Sequence, residues 1–325
     1  MVTRATPSAL SRSIPSLRSA ARLNQAAIVW LVVLALVIVA SVLSPAFLSS
    51  RNLLNVLRQA SALGVISVGQ TMVLLSGGAD LSQSTVMTLG AVVAFKFLGG
   101  DDAMIAPVIV ACVTLGGFVG LFNGVMVSKV KVPPFLMTLG TRTIIFGLGL
   151  MFTNGAPQGQ ITPLFRTVLG QTYVLGIPGQ VMIWAAIVLL GWVLLNKTSF
   201  GRKLYAVGGN PRASRLAGIK TDRVLITAYI ISGVLAALGG LVLGARSGNA
   251  DNALGNGFEL NAIAAVVIGG TSFAGGRGGL VGTVGGVVMM TVLQNLLNIL
   301  GAPAYAYQIA MGLVIIAAVV SLKRN

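Results

Sequence analysis

The chain has 325 residues, of which 55% are hydrophobic and 9% charged, with a mean hydropathy of +0.92 and a formal net charge of +16. Histidine is absent and Cys112 is the single cysteine, which excludes His-based triads, Cys/His metal sites, a histidine proton relay and an intrachain disulfide. A soluble core needs no such continuous apolarity, so lipid is the expected surrounding.

A bilayer core of roughly 30 Å takes about 20 apolar residues per helix. Apolar runs fall at residues 26–44, 59–77, 81–98, 104–128, 135–153, 174–196, 224–245, 260–275, 278–299 and 305–322. Backbone polar groups in lipid must be satisfied within the segment, so these runs predict helices, and barrel-like alternation is absent. The fold class expected is all-α: a polytopic transmembrane helical bundle of about ten membrane segments, some glycine-broken or re-entrant. The runs at 81–98 and 260–275 are the short or glycine-broken ones.

Residues 1–25 carry Arg4, Arg12, Arg18 and Arg22 among serines and prolines and predict a flexible basic cytoplasmic tail. The following run to Leu43 is too long for a signal-peptide core and no small-x-small cleavage site follows it, so an uncleaved first helix is expected. Residues 26–325 then form one transmembrane domain with a cytoplasmic loop at 197–223. With the N-terminus in the cytoplasm and ten crossings, 16 of the 22 Lys/Arg fall inside, and both termini are cytoplasmic. This is the positive-inside bias, and it accounts for the charge without nucleic acid as a partner. Lipid is the surrounding partner.

The glycine-rich stretch from Gly269 to Gly279 lacks the Gly-Lys-Ser/Thr of a phosphate-binding loop, so no nucleotide site or other cofactor is expected in this chain. Small-xxx-small spacing at Gly120/Gly124 and Gly240/Gly244 predicts close helix packing. Val73–Ser82, containing Gly77, Gly78 and Asp80, has the same shape as Val266–Gly275, containing Gly269, Gly270 and Thr271. Paired glycine interruptions in two halves point to broken helices lining a transport site, with two ordinary turns as the alternative.

Asp80 and Glu259 are the acids nearest the apolar runs, where ionisable groups tend to be functional. Asp80 suits a helix-capping or hinge role before Ser82 better than a ligand role. Arg142 lies within the fifth run and is placed to snorkel or to pair inside the bundle. Gln70, Asn123, Thr153, Asn154, Asn261, Gln294, Asn295 and Asn298 offer neutral donors and acceptors that suit a hydroxylated solute, or hold helices together.

Residues 197–223 bring seven Lys/Arg and one acid. Asn210 suits an N-cap, Pro211 the first helical position and Gly218 a left-handed stop, with Ala213, Arg215 and Leu216 between. A helix of about seven residues, roughly 10 Å long, is expected there, shaped as a docking knob.

These residues also form an ordered set of motifs. Gly77-Gly-Ala-Asp-Leu-Ser82, Asn123-Gly-Val, Pro134-Phe-Leu-Met-Thr-Leu-Gly-Thr141, Thr153-Asn-Gly155, Gly201 to Asn210, Arg215-Leu-Ala-Gly-Ile219 and Glu259 to Gly276 follow one another over about Arg51 to Leu322. Together they resemble the permease subunit of ribose-type ABC sugar importers of the bacterial inner membrane. Gln83-Ser84 stand where that family tends to have Val-Gly. Arg142 lies one turn before Phe146, the position at which many members carry arginine. The resemblance implies a dimer of such subunits, homo- or heteromeric, a cytoplasmic ATP-binding cassette protein with two fused cassettes, and a periplasmic sugar-binding protein. It implies that the segment from Asn210 to Gly218 couples to that ATPase, which would hold the ATP and magnesium.

The expected function is inward passage of a monosaccharide or polyol by alternating access, with no covalent chemistry in this chain. An ABC permease for a nucleoside or signalling furanose is the nearest rival. An ion-driven transporter would need more carboxylates or histidines in the core, and a membrane enzyme would need a nucleophile–base or metal set.

Overall fold

The computed structural model describes residues 25–157, 159–171, 173–174, 176–249 and 251–323, so most of the tail at 1–25 lies outside the described residues. Ten helices answer to the ten apolar runs. They are α1 (Gln25–Leu43), α2 (Ser50–Leu75), α3 (Gln83–Leu98), α4 (Ile105–Val125), α5 (Pro134–Thr153), α7 (Gly179–Lys197), α10 (Thr221–Ser247), α11 (Phe258–Ile268), α12 (Leu280–Ile299) and α13 (Ala304–Lys323). Between them lie the short α6 (Pro163–Arg166), α8 (Ser199–Gly209) and α9 (Pro211–Leu216). A two-stranded antiparallel pair, Tyr173–Val174 with Ile177–Pro178, turns the chain before α7.

Among the described residues, six helices (α1, α4 with its continuation, α5, α7, α10 and α12) are long and apolar enough to cross a membrane. α2 is as long, at 26 residues, but more polar, because it runs through protein and not lipid: residues 60–75 are buried without a break, Ser61, Ser67, Gln70 and Thr71 among them. It starts nine residues before the expected run because Ser49 caps it, accepting from the Asn52 amide. The outer helices carry exposed Leu34, Phe118, Ile144 and Leu190, a surface suited to lipid.

α10 is the central post and packs on α2, α3 and α4. Small residues make that possible. A Cβ on Gly120 of α4 would lie 2.2 Å from the Tyr229 carbonyl oxygen, and one on Gly240 would lie 2.1 Å from that of Met87. Gly244 meets Ala91, so the glycine spacings seen in the sequence are helix contacts.

The helix ends sort onto two faces. Ala26, Asn196, Tyr205 and Arg277 line one hollow, while Ser128 and Arg215 line another. The Leu75 carbonyl accepts from the Gly276 amide at 2.9 Å and lies against Gly208 of α8. The ends of α2, α4, α7 and α11 and the starts of α1, α5, α10 and α12 therefore share the face that carries α9.

From that face the chain turns back into the bundle. Gln83, the first residue of α3, donates from Nε2 to the Ile66 carbonyl at 3.2 Å and to Ser232 Oγ at 2.8 Å. Ile66 lies about 13 Å before the end of α2 and Ser232 about 16 Å into α10. α3 therefore begins at mid-depth and runs about 24 Å outward over its 16 residues. On the other side, after the end of α10, residues 251–257 lie deeper in the bundle, where the Gly255 amide donates to Thr88 Oγ1 at 3.0 Å. A Cβ on Gly255 would lie 2.1 Å from the Ser84 carbonyl oxygen, so α11 also starts at mid-depth. Its 11 residues span only about 16 Å, which corrects the expected run at 260–275.

The long–half pairs α2/α3 and α10/α11 thus repeat with opposite direction. This corrects the pairing drawn from the sequence. Val73–Ser82 leads into a half-helix, whereas Val266–Gly275 leaves one, and the two are neighbours: a Cβ on Gly275 would lie 2.9 Å from the Gly77 nitrogen.

Candidate functional site

The starts of the two half-helices meet at mid-depth, and the polar side chains collect there. Asp80 Oδ1 accepts from the Ser82 amide at 3.0 Å and from Ser82 Oγ at 2.6 Å, while Oδ2 accepts from Ser232 Oγ at 2.6 Å. Asn123 Nδ2 donates to Ser82 Oγ at 3.0 Å, and Thr141 Oγ1 donates to Asn123 Oδ1 at 2.6 Å. All are buried. One carboxylate thereby ties the turn before α3 to α10 and, through Ser82 and Asn123, to α4 and α5. Its oxygens are committed to launching α3, in the manner of a cap.

Glu259, in the first turn of α11, holds Arg142 of α5 at 2.9 Å, with Glu259 1% and Arg142 33% exposed. Among the described residues, Glu259 Oε2 has no hydrogen-bond partner, and the same holds for both amide atoms of Gln70, Gln83 Oε1, Ser84 Oγ and the Tyr229 hydroxyl. Gln70 lies one turn beyond Ile66, Gln83 and Ser84 start α3, and Tyr229 lies one turn below Ser232, with Gly78 against its hydroxyl. Buried polar atoms are ordinarily paired, so this group of unpaired ones about two opposed half-helices is the candidate site.

Gln83, Ser232 and Thr141 were not legible as site residues. Each is a single small or amide side chain in an apolar run, and only the tertiary contact reveals its role. Arg142 and Gln70 carried a signal, a polar group at membrane depth, but nothing in the sequence named their neighbours.

Three residues expected near the pathway stand elsewhere. Asn154 is exposed at the end of α5 with φ +49°, where it terminates the helix. Asn261 accepts from the Tyr307 hydroxyl at 3.2 Å and so joins α11 to α13. Asn295 exchanges amide hydrogen bonds of 2.9 and 3.0 Å with Asn52, tying α12 to α2. Each is explained by packing or helix termination, the alternative that neutral amides always carry.

The second cluster lies on the α9 face. Gly269 packs on Gly282, Gly270 turns with φ +90°, and buried Thr271 lies against Gly278. Tyr205 of α8 donates to the Gly278 carbonyl at 3.0 Å, and burial pushes its phenol pKa up. Gly77 faces Ala274, so α8, the turn after α2 and the turn after α11 form one layer.

α9 stands out from this layer. Asn210 Oδ1 accepts from the Ala213 amide at 2.9 Å, Pro211 takes the first helical position, and Gly218 ends the helix with φ +80°. Arg215 Nε donates to Thr221 Oγ1 at 3.0 Å, which fixes the knob to the start of α10. Ala213 is exposed and Leu216 is 85% exposed, an apolar tip with nothing covering it. α8 was not foreseen: only Leu204 and Val207 are large buried apolar residues in its 11, too few to stand out among the charges.

The chain resembles transport proteins throughout. Residues 52–319 match the family described as the branched-chain amino acid transport system permease component. The chain is 42% identical to the ribose import permease protein of Bacillus subtilis (strain 168), over 87% of this chain and 88% of that one. It is 39% identical to the ribose import permease protein of Escherichia coli (strain K12), over 88% and 90%. With the galactose/methyl galactoside import permease protein of Escherichia coli (strain K12) it shares 37%, over 90% and 91%. No solved structure matches it. With the family match spanning nearly all of the helical bundle, the chain belongs to this family of membrane-spanning transport permeases.

Proposed function

We propose that the chain is the translocating subunit of an ATP-driven importer that passes a monosaccharide into the bacterial cytoplasm across the inner membrane. The observation that carries the cargo class is the similarity, over about nine-tenths of the chain, to ribose and galactose import permeases. The mid-depth site supports it. Apart from one carboxylate oxygen of Glu259, its unpaired groups are amides and hydroxyls, which suit a neutral polyol. A zwitterionic amino acid, the cargo named in the family's description, would need a free cation and a free anion. Of the charges at this depth, Arg142 and Glu259 pair with each other, and the Asp80 oxygens are taken by Ser82 and Ser232.

The α9 face is assigned to the cytoplasm because it carries Lys129, Lys131, Lys197, Arg277 and the α8–α9 cations. Energy then comes from a cytoplasmic ATP-binding cassette protein, with its ATP and magnesium, that seats α9 through Leu216 and Ala213. A periplasmic binding protein delivers the sugar, and a second permease subunit completes the channel. Closure of the ATPase moves α9, and α8 passes the movement to the turns after α2 and α11, which bound the half-helices.

The experiment is uptake of labelled ribose and galactose into proteoliposomes containing the chain, its ATPase and its binding protein. ATP-dependent accumulation of at least one sugar is expected. Uptake by the chain alone, driven by a proton or sodium gradient, would overturn the reading.

A further inference from the structure

The geometry points to a binding site for the phosphate of an anionic phospholipid, between α9 and the turn joining α4 to α5. That turn is unusual. Residues 126–130 form a π-helical turn, and Lys131 then adopts φ +67°. It faces the end of α9 and the first turn of α10 across a hollow lined by Lys129, Lys131, Arg215, Lys220 and Arg223, with Asp222 the one acid.

These cations are poorly neutralised. Asp222 lies 3.6 Å from Lys131, and Lys131 also donates to the Ser128 carbonyl. Arg215 spends Nε on Thr221. The side chains of Lys129, Lys220 and Arg223 make no ion pair or hydrogen bond among the described residues. Ser128 also lines the hollow. It is fully buried, and its hydroxyl has no partner among the described residues. α10, 27 residues long, begins here without a side-chain cap, so the amides of its first turn add positive potential. Several cations, a buried unused hydroxyl and an uncapped helix start around one hollow are the donors a phosphate oxygen takes.

The lip of the hollow selects the source. Ile226 lines its inner wall, and Val130, Phe135 and Leu136 are 58%, 56% and 61% exposed beside the turn. A free anion has no use for that apolar margin, whereas a phospholipid lays its acyl chains there. Basic pockets between helix ends at the cytoplasmic surface take acidic headgroups in this way. A headgroup held here would bridge α9 and the α4–α5 turn and so fix the stance of the knob. The inference requires only that the chain spans a bilayer, whatever its cargo.

The test is native mass spectrometry of the delipidated full chain, titrated with dioctanoyl phosphatidylglycerol, dioctanoyl phosphatidylcholine or inorganic phosphate. Phosphatidylglycerol is expected to bind about tenfold tighter than phosphatidylcholine, and Lys129→Gln with Arg223→Gln to remove about that factor. Ser128→Ala should weaken binding further, while Lys197→Gln with Arg202→Gln, on the same face outside the hollow, leaves it unchanged. Monodisperse elution of each variant verifies folding, and Lys129→Arg should restore binding. Equal binding of the two lipids, or phosphatidylglycerol binding indifferent to the hollow variants, overturns the inference. Inorganic phosphate binding as tightly as phosphatidylglycerol would make the ligand a soluble anion and overturn the lipid assignment. So would loss of ATPase association in lipid-free detergent with lipid binding intact, which makes the cations a protein dock.

Discussion

Arg142 Nη2 lies 2.9 Å from Glu259 Oε1, the shorter of two ion pairs among the described residues, and it joins the outer helix α5 to the half-helix α11. The pair is unequal, because the glutamate is buried and the arginine is one-third exposed. Removing the arginine strands a buried carboxylate, a loss of about 3–5 kcal/mol in comparable buried pairs. Removing the glutamate leaves a guanidinium that is not enclosed and whose long stem can reorient toward polar surroundings. Arg142→Met should therefore lower the thermal midpoint in detergent more than Glu259→Gln, and the double variant should recover part of the loss. Equal losses from both single variants would contradict this asymmetry.

Helix contacts through glycine make a second expectation. Gly120→Ala forces a methyl to within 2.2 Å of the Tyr229 carbonyl and 2.8 Å of the Ile230 Cα, both backbone atoms that cannot step aside. Overpacking of this kind costs about 1–3 kcal/mol. Gly140→Ala, in α5 with nothing within 4 Å, should be neutral or stabilising. Thermal unfolding of the two variants in the same detergent separates a packing glycine from a spare one.

The Asp80 network gives a third. Ser232→Ala removes one donor from Asp80 and the acceptor of Gln83 Nε2, among fully buried groups. Leaving buried polar atoms unpaired costs about 1–3 kcal/mol. Because Ser232 anchors the turn before α3 to α10, the loss should appear as faster hydrogen exchange in residues 79–84 ahead of global unfolding. Uniform acceleration across the chain would show instead that Ser232 has no local task.

What the sequence reveals follows from what is local. The ten segments were legible because length and apolarity are properties of a run. The knob was legible because Asn210, Pro211 and Gly218 act within a turn of themselves. The half-helices were only partly so. Glycine pairs announce breaks at Gly77–Gly78 and Gly269–Gly270, but depth is set by partners distant in sequence: Gln83 on Ile66 and Ser232, and Gly255 on Ser84. The inverted pairing of α2/α3 with α10/α11 therefore could not be read, and the matching shapes of Val73–Ser82 and Val266–Gly275 pointed to the wrong mates.

Sidedness is tested by single cysteines in a Cys112→Ala background, Cys112 being buried and the one native thiol. Leu216→Cys and Gln160→Cys are both at exposed positions, on opposite faces. In intact spheroplasts of cells lacking the ATPase, an impermeant maleimide should label position 160 and spare position 216 until the membrane is opened. The reverse pattern would put the basic face outside.

The knob itself provides the sharpest contrast between a docking element and a solvated loop. Losing the Asn210 cap should cost about 0.5–2 kcal/mol of local helix stability. Arg215 still ties the segment to Thr221, so Asn210→Ala should reduce coupled ATP hydrolysis only partly. Ala213→Trp acts differently. Ala213 is exposed, so the ring meets no intrachain obstacle and the chain should fold and insert normally. In the proposed assembly, however, a bulky ring on a small docking face should hold the knob out of the ATPase cleft. Leu216→Asp should do the same by placing a charge where the apolar tip, 85% exposed in the free chain, is expected to be buried by the partner. Both variants should keep wild-type membrane levels and thermal midpoints, lose ATPase co-purification and abolish sugar uptake. Wild-type co-purification and uptake for both would leave the segment as ordinary surface, since solvated loops tolerate bulk and charge alike.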